Sequence, residues 1–256
     1  EVGDNFGSAL AAGDFNNNGF ADLAVGVPFE AIGTIFHAGA VNVLYGTAGG
    51  LTAAGNQQFW QGAGGVTGTA EGFDQFGLAL DAGDFNNNGV ADLAVGVPGE
   101  SIGATFETGA VNLLYGSGSG LAGAGSQLFS QASAGVAGNA EPFDHFGSAA
   151  SSGDFNNNGI SDLAVGIPDE DVGAIRDAGA VNVLYGASGG LTATGSQQFW
   201  QGAGGVAGTA EAFDNFGWTV SAGDFNNNGF ADLAIGVPLE AIGAIEGAGA
   251  VNVLYG

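Results

Sequence analysis

Phe6, Phe76, Phe146 and Phe216 each precede a glycine and stand 70 residues apart. The phrase GDFNNNGFADLAVG that begins at Gly13 returns at Gly83, Gly153 and Gly223 with only a few changes. A chain with so strict a period builds the same substructure in each unit and buries the apolar faces of one unit against the next. The period therefore outranks the prior of one or two irregular domains that 256 residues would otherwise carry. It divides the chain into units 1–75, 76–145, 146–215 and an incomplete 216–256.

Each unit reads as strands. Phe6 to Phe15 alternates small and apolar residues, an asparagine-rich kink follows, and Asp22 to Val27 alternates Leu23, Val25 and Val27 against Ala24 and Gly26. Pro28 ends that second strand. Ala40 to Tyr45 forms a third strand, and Gln57 to Gln61, around Phe59 and Trp60, forms a short fourth, with glycine and alanine filling the connections. No stretch carries the 3.6-residue apolar period of a helix. The 52 glycines act as punctuation rather than as a sign of disorder, because a 45% hydrophobic content on strand-like spacing supports a packed core.

Four antiparallel strands per unit with turns at short intervals predict an all-β fold, and radial repetition into a β-propeller of four-stranded blades hides the sheet edges. The small face of Ala24 and Gly26 lets neighbouring blades approach closely. The last copy reaches Gly256 after its third strand, so the blade is completed by another segment or chain, or the four units belong to a longer array.

Numbered from Asp14, the kink places side-chain oxygens at positions 1 (Asp14), 3 (Asn16), 5 (Asn18) and 9 (Asp22), with Gly19 at 6 and the Phe20 carbonyl at 7. This is the spacing of a hard-cation loop, in which alternate residues point inward and glycine makes the sharp turn. The set recurs at Asp84, Asn86, Asn88, Val90 and Asp92, at Asp154, Asn156, Asn158, Ile160 and Asp162, and at Asp224, Asn226, Asn228, Phe230 and Asp232. Position 12 is Val25 inside a strand where a helix-flanked loop would have a bidentate Glu, so the loop belongs to a β-hairpin. The expected cofactor is Ca²⁺, about four ions, one per repeat. With two carboxylates per loop the affinity falls in the range of extracellular modules, roughly 10⁻⁴ to 10⁻³ M. The competing explanation is that Asn-Gly makes a good hairpin turn in which Asp caps its own backbone.

Twenty-six acids against one base, Arg176, leave a formal charge of -25. Such a surface repels phosphate backbones and anionic membranes, which excludes nucleic acid and membrane insertion as expected partners and makes cations natural ones. Cysteine is absent, and no apolar run approaches the roughly 20 residues of a spanning helix.

With FG, GDFNNNGxADLAVGVP and GAVNVLYG in order, and LYGTAGGLTAAGNQQFWQG at residues 44–62, the whole chain resembles the FG-GAP repeats of the integrin α-subunit propeller, and most of all bacterial secreted FG-GAP repeat proteins. The resemblance implies a propeller with calcium in the hairpin loops of one face and ligand binding on the opposite face. It also implies an extracellular location, secreted or at the cell surface. Integrin propellers have seven blades, a count these four units do not reach.

The copies differ most between strands two and three, at residues 34–37, 104–107, 174–177 and 244–247. These loops are the candidate partner surface, although exposed loops also drift freely. Glu30, Glu100, Glu170 and Glu240, with Asp4, Asp74, Asp144 and Asp214, are expected to cap turns and solvate the surface rather than bind further cations. Catalysis is not expected, since His37 and His145 are single occurrences and the repeated carboxylates offer no asymmetric pair. Two functions are expected in order: a calcium-binding adhesion or interaction module for a protein or glycan ligand, or a structural subunit whose copies complement one another's strands in a filament or surface layer.

Overall fold

The computed structural model describes residues 2–256 and is all-β, with no helix among the described residues. The first sheet runs β1 (Leu10–Gly13), β2 (Asp22–Val27), β3 (Ala40–Thr47) and β4 (Gly50–Phe59) in chain order. The second repeats this with β5 (Leu80–Gly83), β6 (Asp92–Val97), β7 (Ala110–Tyr115) and β8 (Ala122–Phe129). The third has β9 (Ala149–Gly153), β10 (Asp162–Ile167), β11 (Ala180–Ala187) and β12 (Gly190–Phe199). The fourth has three strands, β13 (Thr219–Gly223), β14 (Asp232–Val237) and β15 (Ala250–Leu254). Every pairing is antiparallel, with registers repeated from sheet to sheet, such as Gly13 opposite Asp22 and Gly83 opposite Asp92.

The second strand matches its expected span in all four sheets. Two others do not. The first strand begins at Leu10 rather than Phe6, because Phe6 lies in a turn. The fourth strand is longer than Gln57–Gln61: it starts at Gly50, straight after a tight turn from β3, so the glycine- and alanine-rich run is strand and not connection.

The core lies between sheets rather than inside one. Val41, Val43 and Tyr45 of the first sheet pack with Phe76, Leu80 and Val95 of the second, and equivalent layers join the second sheet to the third and the third to the fourth. Sandwiched between neighbours, β6 and β10 are buried on both faces along their whole length. The small-residue face permits this approach: a Cβ on Gly26 would stand 2.1 Å from the carbonyl oxygen of Gly77, and the same separation recurs between Gly96 and Gly147 and between Gly166 and Gly217. First strands of successive sheets lie side by side, β1 by β5, β5 by β9 and β9 by β13.

The four sheets do not close into a ring, in keeping with a count of units that falls short of one. Leu10 is 60% exposed where its counterpart Leu80 is buried, and Val251 is 68% exposed where Val111 is fully buried. Each end of the series therefore presents one uncovered sheet face.

Candidate functional site

The four asparagine-rich segments all lie at one end of the sheets, in the turns that join β1 to β2, β5 to β6, β9 to β10 and β13 to β14. Asn17, Asn87, Asn157 and Asn227 take left-handed backbone conformations, with φ between 55° and 59°, and each is followed two residues later by a glycine with positive φ. The turn wraps around the carboxylate that opens it. Asp14 Oδ1 and Oδ2 accept the Asn18 and Gly19 amides at 3.0 and 2.8 Å, and Asn16 Oδ1 accepts the Asn18 amide at 3.1 Å. Asn18 Oδ1 accepts the Phe20 amide at 2.8 Å, as Asn88, Asn158 and Asn228 do from Val90, Ile160 and Phe230.

The closing carboxylate has a different role. Asp22 Oδ2 accepts the Phe15 amide at 2.8 Å and its Oδ1 accepts the Gly46 amide at 2.7 Å, tying the β1–β2 turn to the end of β3. Asp92, Asp162 and Asp232 make the same pair of bonds. Asn18 Nδ2 adds a bond to the Gly46 carbonyl at 3.0 Å. In the later copies Asn86, Asn156 and Asn226 donate a side-chain N–H to Oδ1 of Asp92, Asp162 and Asp232.

The residues in each loop are thus gathered around two carboxylates and two amide oxygens. Burial pushes Asp92 up to about 7 and Asp162 up to about 6, against backbone hydrogen bonds that pull the other way, and the neighbouring Asp84 and Asp154 add repulsion. Two carboxylates without a basic neighbour have the chemistry a hard dication takes, while in the structure each of their oxygens already accepts a main-chain N–H. Among the described residues no group of three or more His, Cys, Asp or Glu converges on a metal position. A cation here would rely on the amide and main-chain oxygens as much as on charge.

The other repeated acids divide. Asp74, Asp144 and Asp214 cap the turns before each FG by accepting the amides of Glu71, Glu141 and Glu211. The expectation that the glutamates serve solvation is corrected at Glu100 and Glu170, which are buried. Glu170 accepts side-chain amides from Gln131 at 2.7 Å and Gln198 at 2.9 Å, and Glu240 accepts one from Gln201 at 2.9 Å, so these acids tie a sheet to the segment that enters or leaves it.

At the opposite end, the connections after the second and fourth strands are laced together by main-chain bonds, such as Phe73 to Phe36, Gln75 to His37 and Phe76 to Ala38. Phe76, Phe146 and Phe216 plug the gap between sheets, fully buried, and the glycine after each keeps a positive φ beside the neighbouring strand. This scaffold carries the variable loops. Phe36 and Phe106 project from it exposed, and Arg176 sits 5.3 Å over the Phe213 ring. It also gathers His145, Glu107, Asp169 and Trp218 around one cavity, a cluster that motif spacing does not reveal because its members come from three units.

Serial antiparallel sheets with a repeated asparagine turn at one end and a plugged Phe-Gly junction at the other define a β-repeat protein of modular type. The FG-GAP repeat matches at residues 6–44, 76–114, 146–184 and 216–254, and the chain belongs to that family. It is 33% identical over 166 residues to phosphatidylinositol-glycan-specific phospholipase D of Bos taurus, covering 65% of this chain and 19% of that protein. To integrin alpha-5 of Xenopus laevis it is 30% identical over 237 residues, 90% of this chain and 20% of that protein. Mouse integrin alpha-E is 39% identical over 95 residues, 36% of this chain and 8% of that protein. The chain spans a fifth or less of the length of these relatives. No helix is long and apolar enough to cross a membrane among the described residues.

Proposed function

We propose that this chain is an extracellular interaction module of propeller type, stiffened by Ca²⁺ in its four hairpin loops, which binds a protein or glycan partner with the opposite ends of its sheets. The observation that carries the reading is the contrast between the two ends of each unit. The asparagine turns repeat the same hydrogen bonds four times, whereas the connections at the far end differ in every unit on an unchanged main-chain framework. A constant end suits a structural ion and a variable end suits recognition. The integrin alpha relatives and the acidic surface support the same reading. Catalysis is not part of it, since the phospholipase D relative matches over only 19% of its length.

The test is adhesion of cells or matrix to the immobilised protein, with and without calcium. Binding is expected to need calcium and to fall when residues 104–107 are replaced by the sequence of 244–247. Binding indifferent to both changes would remove the reading.

A second reading is a structural subunit whose copies complement one another's strands in a filament or surface layer. Phe6 and Leu10 at one end and Phe225, Val251 and Tyr255 at the other are exposed copies of residues that are buried or half-buried between internal sheets. Light scattering that stays monomeric at high concentration with calcium present would rule this out.

A further inference from the structure

In a chain whose units are nearly identical, residues that break the repeat and converge in space point to a selected site. His145 stands where the other units have Asn5, Gln75 and Asn215; Glu107 where they have His37, Asp177 and Gly247. Asp169 replaces Phe29, Gly99 or Leu239, and Trp218 replaces Ser8, Leu78 or Ser148. All four line one cavity of about 430 Å³ at the variable end, between the connections of the second, third and fourth sheets. That volume lies within the range of small-molecule pockets, which are apolar with a few placed polar groups. Leu78, Pro98 and Pro168 supply the apolar wall, and Trp218 is 54% exposed.

The polar side is organised by His145. Its Nδ1 lies 2.7 Å from Asp169 Oδ2 and its Nε2 3.3 Å from Glu107 Oε2. These carboxylates, Asp169 foremost, push the imidazole above its ordinary range against the opposing effect of burial. Asn215 Nδ2 donates to Asp169 Oδ1 at 2.9 Å, so both Asp169 oxygens are engaged within the protein. One Glu107 oxygen is engaged with His145. The Ser148 hydroxyl donates to the His145 carbonyl at 2.8 Å, which leaves its oxygen to accept.

With both Asp169 oxygens and one Glu107 oxygen engaged inside the protein, no open carboxylate pair is left for an organic cation. The cavity offers acceptors beside a half-exposed indole. A pyranose has the matching chemistry: hydroxyls around its rim that donate, and a C–H face that packs on an aromatic ring. We propose that this cavity binds a neutral sugar residue, its C–H face on Trp218 and its hydroxyls donating to Glu107 and Ser148. The inference rests on the reading of this end as the ligand face and names the class of ligand for it.

The experiment is calorimetric titration of the calcium-loaded protein with a panel of methyl glycosides and, separately, with acetyl-arginine amide. At least one glycoside is expected to bind, and its affinity is expected to fall by about tenfold or more in Trp218→Ser and in Glu107→Gln. Trp218→Ser installs the residue found at positions 8 and 148, which the repeat already tolerates. Glu246→Gln, exposed and outside the cavity, is expected to leave affinity unchanged. Overturning results are no glycoside binding, glycoside binding that ignores both cavity variants, or Glu107-dependent binding of the arginine amide alone. Calcium-dependent adhesion that survives in Trp218→Ser, with no glycoside bound, would discard this site and leave the interaction module standing.

Discussion

Gly96 carries its importance in what it lacks. A Cβ there would lie 2.1 Å from the Gly147 carbonyl oxygen, so the second and third sheets would have to separate to accept it. Gly96→Ala is expected to destabilise by about 1–3 kcal/mol, the usual cost of overpacking. Gly236→Ala should cost less, because the nearest obstacle is the Thr219 hydroxyl and not a backbone atom. Thermal melting of the two variants side by side checks the ranking, and equal losses would contradict it. The loop carboxylates differ in a similar way. Asp92 is buried and satisfies the Phe85 and Gly116 amides, whereas Asp84 serves amides in the exposed turn. Asp92→Ala leaves buried donors unpaired at about 1–3 kcal/mol. In the presence of chelator it should therefore lower the melting temperature more than Asp84→Ala does. That difference was not legible from ligand spacing, where positions 1 and 9 look alike, because it depends on Gly116, 24 residues from Asp92.

Among elements, the hairpin between the first and second strands is the natural seat of any cation effect. Calcium binding the folded loops alone stabilises by mass action, about 2.7 kcal/mol per site at a hundredfold excess over Kd. A calcium titration is expected to show about four sites, and chelation is expected to lower the melting temperature and speed hydrogen exchange at residues 14–22 and their three counterparts. Melting and exchange that ignore calcium would leave the loops as turns capped by their own aspartates. The second strand was legible because Asp22–Val27 alternates and ends at proline. The fourth was only half legible, since Gly50 to Asn56 lacks apolar alternation and is mostly exposed. Its pairing comes from the tight turn after β3, and a register shift near Tyr45 absorbs the mismatch. The first strand was over-read for the opposite reason: Phe6 and its counterparts are apolar but belong to the junction between units.

For the whole molecule, buried acids set the pH response. Burial pushes Asp74, Glu100 and Asp144 up to about 6, 7 and 8. Unfolding returns each to an ordinary carboxylate, so the folded state retains protons that the unfolded chain releases. Their contribution to stability is complete below the ordinary carboxylate range and is lost as pH rises through 6 to 8. The calcium-free protein is therefore expected to melt higher at about pH 5 than at about pH 8. Asp144→Asn, which cannot ionise, should flatten part of that slope; a slope unchanged in this variant would trace the effect to general repulsion on a chain of charge -25 instead.

By itself the amino-acid sequence determined whatever is local and repeated: the 70-residue period, the all-β character, the second strand of each sheet and the oxygen spacing of each loop. These follow from alternation and turn chemistry, which act over a few residues. Only the tertiary structure decided the rest. It buried Glu170 between Gln131 and Gln198, left one face uncovered at each end of the series, and drew Glu107, His145, Asp169 and Trp218 into one cavity. Such contacts join residues of different units, and their positions are set by how closely one glycine-faced sheet approaches the next.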